Sequence, residues 1–324
     1  MLELIKPGTN INFVGKRHIW IGISIVAIIA TFILFIVKGL NYGIDFTGGA
    51  EIQVHIPQNW DIGKLRDELE SGGLKGVKVQ QIGLPTASQF LIKAQGDEHS
   101  LNQVSKKVDA ILLKDLKHGD FEIQRVDVVG PAAGSSLRMS GFLSMFYALL
   151  CILVYVTIRF DYRYSPGAVM ALFHDTVITI GIFILTQKQF DLQILAALLA
   201  LIGYSNNDTI IVYDRVRETM HQHPELNIEQ AVNRAVNETL GRTILTSLCT
   251  FFTVFALWLL GGKVIEDFAF TLMVGIVVGA YSSIFIASSL VIAISHYHDR
   301  RALSLKKAGG GKKAISVRPE PKFE

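Results

Sequence analysis

Apolar and polar positions alternate in large blocks along this chain. Six blocks are apolar enough and long enough to cross a bilayer: Ile19 to Val37, Gly141 to Ile158, Gly167 to Leu185, Leu192 to Tyr213, Thr243 to Leu260 and Phe268 to Ile294. A hydrocarbon core of about 30 Å takes roughly 20 helical residues. The first block is longer than the ~7–15 residues of a signal-peptide apolar region and no small-x-small cleavage pattern follows it, so a retained spanning helix is expected. Between the first and second blocks lies a polar stretch with shorter periods. "DFTGGAEIQVHI" alternates as a strand does, "DIGKLRDELESGG" has helical spacing and a glycine stop, and "VKVQQIG" and "QFLIKAQ" read as strands around the turn-like "LPTAS". "SLNQVSKKVDAILLKDL", opened by Ser100, is an amphipathic helix, and "FEIQRVDVVG" is a last strand. The order βαββαβ predicts a small ferredoxin-like α+β domain.

The predicted organisation is therefore a six-helix integral membrane protein with an α+β domain inserted after the first span. Its segments are an N-terminal stretch over 1–18, a first spanning helix over 19–40, the α+β domain over 41–134, a five-helix bundle over 135–295 and a basic, flexible tail over 296–324. Composition agrees: half of the 324 residues are hydrophobic and the mean hydropathy is +0.38, too apolar for a soluble chain of this length. The net charge of +3 is small, but its placement is not random. Lys6, Lys16, Arg17, Arg159, Arg163, Arg215, Arg217, Arg234, Arg300, Arg301, Lys306, Lys307, Lys312 and Lys313 fall on one side of the predicted membrane, and only Lys188 and Lys263 in the short loops of the other. The positive-inside bias puts both termini in the cytoplasm and the α+β domain outside. The basic tail reads as an anchor beside anionic lipid rather than a nucleic-acid site. Cys151 and Cys249 lie within spans and suit neither a disulfide framework nor a metal site. "GDEH", Gly96 to His99, lacks metal-ligand spacing and reads as a solvated turn, and "AGGGKK" lacks the spacing of a phosphate loop. Nothing in the chain points to an enzyme, a metal or an organic cofactor, and an energy source other than ATP hydrolysis by this polypeptide is expected.

The candidate chemistry lies inside the spans. An ionisable residue there costs roughly 2.5–3.5 kcal/mol on insertion scales and is a functional candidate by default. In the fourth span, "GYSNNDT" places Ser205, Asn206, Asn207, Asp208 and Thr209 in succession. Such a run cannot face one direction on a helix, so a locally loosened helix beside a wet cavity is expected. Counted from Asp214, Asp208 lies six residues deep, or roughly 9 Å. In the fifth span, Arg242 stands at the start of "TILTSLCT", where Thr243, Thr246, Ser247 and Thr250 form a hydroxyl stripe at helical spacing. Arg242 and Asp208 are expected at similar depth, within reach of an ion pair, although a lone interfacial arginine and ordinary helix–helix hydrogen bonding fit the same residues. In the third span, "FHD" sets His174 and Asp175 inside the membrane. His174 reads equally as a satisfied hydrogen-bonding residue. In the sixth span, Gly275, Gly279, Ser282 and Ser283 read as a small-residue packing face. Acids on two helices, one arginine and a hydroxyl stripe make the parts of a proton relay, with protons as the coupling ion. Asp208, Arg242 and Asp175 are its expected members, and His174, Asn207, Thr209, Thr246 and Ser247 its supporting polar groups.

Several of these pieces resemble one family. "INFVGKR", "NYGIDFTGGAEI", "VGPAAGSSL", "FHD", "GYSNNDTIIVYDRVRE" and "GRTILTSLCT" are together similar to the SecD/SecF family of bacterial protein-export membrane subunits, over nearly the whole chain. The long fourth-span motif and the short outer domain favour the SecF branch. The resemblance implies half of a resistance-nodulation-division type transporter, paired with SecD to twelve spans in the bacterial inner membrane. It implies work with the SecYEG channel, the ATPase SecA and YajC, using the proton gradient to complete export of unfolded polypeptides. The family's motor residues correspond to Asp208 and Arg242, with Asp175 in a further family motif. Asn206 departs from the apolar residue that relatives often carry at that position. A small-molecule exporter of the same superfamily fits poorly with one outer domain and six spans, and a non-transporting scaffold leaves Asp208 and Asp175 without a role.

Overall fold

In the computed structural model, residues 9–56, 60–74, 76–82, 88–94, 98–116, 120–160 and 164–308 are described. Helix α1 (Arg17–Lys38) is followed by a single turn, α2 (Ile44–Thr47), and then by β1 (Gly49–His55), α3 (Ile62–Ser71), β2 (Lys78–Ile82), β3 (Gln89–Ala94), α4 (Glu98–Asp115) and β4 (Glu122–Val129). The remaining elements are helical: α5 (Pro131–Arg159), α6 (Ser165–Thr186), α7 (Leu192–Gln222), α8 (Ile228–Leu260), α9 (Lys263–Ser282) and α10 (Ser288–Ala308), the last two joined by a π-helical segment over Ser283–Ala287. Six helices are long and apolar enough to cross a membrane, α9, the π segment and α10 together supplying the sixth.

The strands form one antiparallel sheet in the order β2-β3-β1-β4, with β1 in the middle because its alternate residues are all core-facing. Ile52 and Val54 of β1, with Phe90 and Ile92 of β3, pack against Leu65 and Leu69 of α3 and Val108 and Leu112 of α4, and all are buried. The opposite face carries polar pairs across neighbouring strands, Glu51–Lys93 at 3.4 Å and Gln53–Gln124 at 2.9 Å, and it is partly covered as well, with Leu91 buried and Lys78 of β2 donating to Asn41 at 3.1 Å. Asp61 starts α3 by accepting a hydrogen bond from the Lys64 amide at 2.7 Å. Helix α4 starts at Glu98, two residues before the expected Ser100. The "GDEH" turn lies largely outside the described residues, and the "LPTAS" turn does so except for Ser88.

The helices overrun the apolar blocks that announced them. Helix α8 begins at Ile228, fifteen residues before Thr243, where an Asn227–Gln230 capping box fixes its first turn. The hydrophobic pattern marks where lipid begins, whereas caps mark where the helix begins. The stretch from His296 is helical at its start: α10 continues to Ala308 through Arg, Leu, Lys and Ala, all good helix formers. The "AGGGKK" stretch lies outside the described residues beyond Ala308.

Burial separates the spans into two sets. Over half or half of the most apolar window is buried in α6 (56%), α7 (50%) and the sixth span (61%), against 11% in α1, 11% in α5 and 17% in α8. The inner set is therefore where polar groups can be sheltered from lipid. Cys151 and Cys249 lie on the outer surface of the bundle.

Two sets of backbone contacts tie the ends together. On one side, Asn237 of α8 brackets Ile11, accepting from its N–H at 2.8 Å and donating to its C=O at 2.9 Å, while Asn233 accepts from Phe13 N–H at 2.9 Å. On the other side, the segment between α1 and β1 clasps the α6–α7 loop. Gly43 N–H donates to Phe190 C=O at 2.7 Å, Phe190 N–H donates to Asn41 C=O at 2.8 Å, and Asp45 accepts from Leu192 N–H at 3.0 Å. The rings of Tyr42, Phe46 and Phe190 pack together at this clasp. The first turn of α7 is thereby fastened to the residues that lead into the sheet.

Candidate functional site

The polar residues of the inner helices do not gather in one place. They divide between two faces of α7, because Ser205 and Thr209 stand four residues apart on one side while Asp208 turns toward α8. Helix α7 runs unbroken through Ser205–Thr209, so the loosened helix expected there does not occur. The polar run is shared among different neighbours instead. The one departure from α-helical hydrogen bonding among the inner spans is the π segment Ser283–Ala287, and π turns recur at functional sites. Thr209 lies 3.1 Å from Ser283 at its start, and the Tyr213 hydroxyl donates to Ala287 C=O at 3.2 Å at its end.

On the first face, Asp175 of α6 is 1% exposed and accepts three side-chain hydrogen bonds. Ser205 donates at 2.5 Å and Ser282 at 2.8 Å to Oδ2, while His174 Nδ1 meets Oδ1 at 2.9 Å. His174 is equally buried, and its Nε2 lies 2.9 Å from Ser24 of α1. Ser24 in turn lies 3.1 Å from the Tyr281 hydroxyl, which donates to the Trp20 C=O at 2.9 Å. Three elements, α6, α7 and α9, thus meet on one acid, and α1 reaches it through His174. Gly279 makes the approach feasible: a Cβ there would lie 3.1 Å from Ser205 and 3.7 Å from Asp175 Oδ2. Gly275, one turn earlier, admits Leu201 in the same way. The glycine pair is the packing face expected from its spacing, but Ser282, read with it as packing, is a ligand of Asp175.

On the second face, Asp208 is 2% exposed, and Ser247 of α8 stands 3.5 Å from Oδ2, at the limit of a hydrogen bond. One turn before Ser247 on α8, Thr243 Oγ1 is buried without a hydrogen-bond partner among the described residues, and so is Asn206 Oδ1 on the opposite side of α7. Arg242 is exposed and forms no ion pair with Asp208 within 4 Å. The ion pair within reach of the sequence is thus absent from this conformation, since α8 turns Thr243 and Ser247 inward and Arg242 out. The hydroxyl stripe splits for the same reason. Thr243 and Ser247 are buried, whereas Thr246 is exposed and donates to Arg242 C=O of its own helix at 2.9 Å. Asn207 also points away from the bundle; on a continuous helix, residues flanking a buried Asn206 and Asp208 cannot all turn inward.

Sequence reasoning found both acids, His174, Arg242 and the hydroxyls of α8. It missed Ser24, Ser205 as a ligand, and Tyr281. Their only signal is a hydroxyl inside an apolar block, which in isolation is ordinary. Outside the spans, Asp191 caps α7 by accepting from Ile194 N–H at 3.0 Å, and its carboxyl is held above the usual carboxylate range by burial.

Comparison with known proteins decides the lineage. Residues 108–297 match the family model described as "Protein export membrane protein SecD/SecF, C-terminal", and residues 33–56 match the "SecD/SecF GG Motif". The chain belongs to the SecD/SecF family. Among SecD/SecF family members, the protein translocase subunit SecF of Calditerrivibrio nitroreducens is 45% identical over 302 residues, 92% of this chain and 99% of that one. The SecF subunit of Magnetococcus marinus is 42% identical, covering 90% of this chain and 94% of its own. A crystal structure of SecDF from Thermus, described as a translocon-associated membrane protein, superposes with a TM-score of 0.76 at 34% identity over 89% of this chain. A second SecDF structure, in a super-membrane-facing form, gives 0.69 at 35% identity over 95%. The chain spans 39% and 41% of those two SecDF chains, so each contains a SecF-like part within a longer polypeptide.

Proposed function

We propose that this SecD/SecF family member is a proton-driven auxiliary subunit of Sec-dependent export. In this reading it pairs with SecD and acts beside SecYEG, SecA and YajC on unfolded polypeptides leaving the cytoplasm. The observation that carries it is the burial of Asp208 between α7 and α8 with a single long hydrogen bond to Ser247, while Thr243 Oγ1, one turn before Ser247, is without a partner among the described residues. A carboxylate left so poorly satisfied at membrane depth is costly. Taking up a proton removes that cost and changes how α7 packs on α8, so protonation and helix position become coupled. Because the first turn of α7 is fastened to Asn41–Asp45, displacement of α7 reaches the root of the sheet domain. Protons are the coupling ion; the chain acts as a transporter subunit rather than an enzyme.

The pairing with SecD is supported by the surface of α7. Ala196, Ala200, Gly203 and Asn207 are exposed at helical spacing, and small residues with one amide suit close contact with another spanning helix. Arg242 and Thr246, also exposed, lie where a second subunit would meet this face. The orientation, with both termini cytoplasmic and the sheet domain periplasmic, is supported by the distribution of basic residues. The ferredoxin-like reading of that domain is supported by the βαββαβ element order and the antiparallel strand order β2-β3-β1-β4.

The test is proton flux and preprotein export in vesicles holding the paired subunits. Asp208→Asn abolishes proton-dependent export at unchanged expression, and Arg242→Ala weakens it. Normal export by Asp208→Asn sinks the proposal in favour of a scaffold.

A further inference from the structure

Four contacts run in series through the Asp175 site: Tyr281 to the Trp20 carbonyl, Tyr281 to Ser24, Ser24 to His174 Nε2, and His174 Nδ1 to Asp175 Oδ1, at 2.9, 3.1, 2.9 and 2.9 Å. Each needs one hydrogen between its two heavy atoms. Serine and tyrosine contribute one each, and a neutral imidazole contributes one. Three hydrogens cannot fill four contacts. One additional proton fills them all: Nδ1–H donates to Asp175, Nε2–H donates to Ser24, Ser24 donates to Tyr281, and Tyr281 donates to the Trp20 carbonyl. Asp175 Oδ2 already accepts from Ser205 and Ser282, so the extra proton lies on the Nδ1–Oδ1 line. The Tyr281 ring stacks over the imidazole at 6.0 Å and 27°, an arrangement that favours a cationic ring.

We propose that His174 and Asp175 form a proton-binding site that holds one proton in this conformation, with Ser24 and Tyr281 as positioning residues that register its occupancy. Among the described residues, the ionisable group in contact with the pair is Tyr281. Helix α1 presents Ser24 and the Trp20 carbonyl, α7 presents Ser205, and α9 presents Ser282; Asp208 is on the α8-facing side of α7. With the proton bound, the pair is neutral overall. Without it, a net negative charge is left in a dry, spanning bundle, and one of the four contacts falls empty. The contact that empties is the longest, Ser24–Tyr281, so release of the proton loosens α1 from the sixth span. The place of this site in export rests on the proton-coupling reading above, but its occupancy is measurable without transport.

The experiment uses the full chain in lipid nanodiscs with ¹⁵N-labelled histidine, the His174 signals being identified by their loss in His174→Gln. At neutral pH both ring nitrogens of His174 carry hydrogen. Ser24→Ala, which removes the acceptor of Nε2–H, lowers the ratio of doubly to singly protonated His174 at neutral pH about tenfold, and Ser24→Thr restores it. A His174 that is neutral at neutral pH in the wild-type protein overturns the proposal without recourse to any variant. So does a ratio that Ser24→Ala leaves in place. Normal export by Asp208→Asn overturns the coupling reading instead and leaves this ratio as it is.

Discussion

Asp175 accepts hydrogen bonds from His174, Ser205 and Ser282, whereas Asp208, one turn along α7 from Ser205, has a single contact at 3.5 Å from Ser247. Both acids are about equally buried. The difference lies in what surrounds them. Around Asp175, glycine at 279 lets α9 close on α7, and each donor finds its acceptor. Beside Asp208, Ser247 stands at the limit of a hydrogen bond and Thr243 Oγ1, one turn before it on α8, is left without a partner among the described residues. A satisfied buried network fixes a structure, while an unsatisfied one is where a conformation is ready to change. Depth in the membrane is thus a poor guide to what surrounds an acid; the completeness of its hydrogen bonding in this conformation separates Asp175, which ties helices together here, from Asp208, which is left poorly satisfied.

In order of expected effect on stability, the first way to break that comparison is Asp175→Ala. It removes one partner of a buried pair and strands His174, Ser205 and Ser282, for a loss of about 3–5 kcal/mol. Unfolding in detergent measures it, and a loss below about 1 kcal/mol would mean that the network does not hold the inner helices together. Gly279→Ala comes next. Its Cβ at 3.1 Å from Ser205 forces α9 from α7 and costs about 1–3 kcal/mol, with the Ser205–Asp175 bond lengthened in a structure of the variant. Asp208→Asn sharpens the contrast: stability falls by no more than about 1 kcal/mol, because only one weak hydrogen bond is at stake and the neutral amide relieves the cost of a poorly satisfied carboxylate, yet proton-dependent export is lost. If Asp208→Asn destabilises as much as Asp175→Ala, the two acids are not different in kind.

The smallest effect is a control outside both sites. Burial raises the Asp191 carboxyl above its unfolded value, so the folded chain binds more protons than the unfolded one between the two values. This contribution to stability is present below the unfolded value, near pH ~4, and is lost as pH rises through the folded value. Asp191→Asn keeps an acceptor for the Ile194 amide and abolishes that slope, leaving the variant more stable at neutral pH by less than about 1 kcal/mol. Thermal melting across the acid range reads the slope directly.

The periods of the hydrophobic pattern were sufficient for six spans, for the βαββαβ order of the inserted domain, and for the two acids, because each is a local property of the chain. Helix ends were less legible: α8 begins at Ile228, capped by Asn227, and α10 runs to Ala308, where polar helix formers leave no hydrophobic mark. The direction of each polar side chain was not legible. Asn207, Thr246 and Arg242 face outward while Ser205, Ser247 and Thr243 face inward, and no run of adjacent letters states which face of a helix meets which neighbour. Ser24 reaches His174 across 150 residues and Tyr281 across 257. Sequence alone determined that charge would be buried in this membrane-spanning bundle. Only tertiary packing decided which acid is satisfied and which is not, because hydrogen bonds between helices depend on how closely their backbones approach, and that distance is set by residues such as Gly279 acting on a helix far away in the chain.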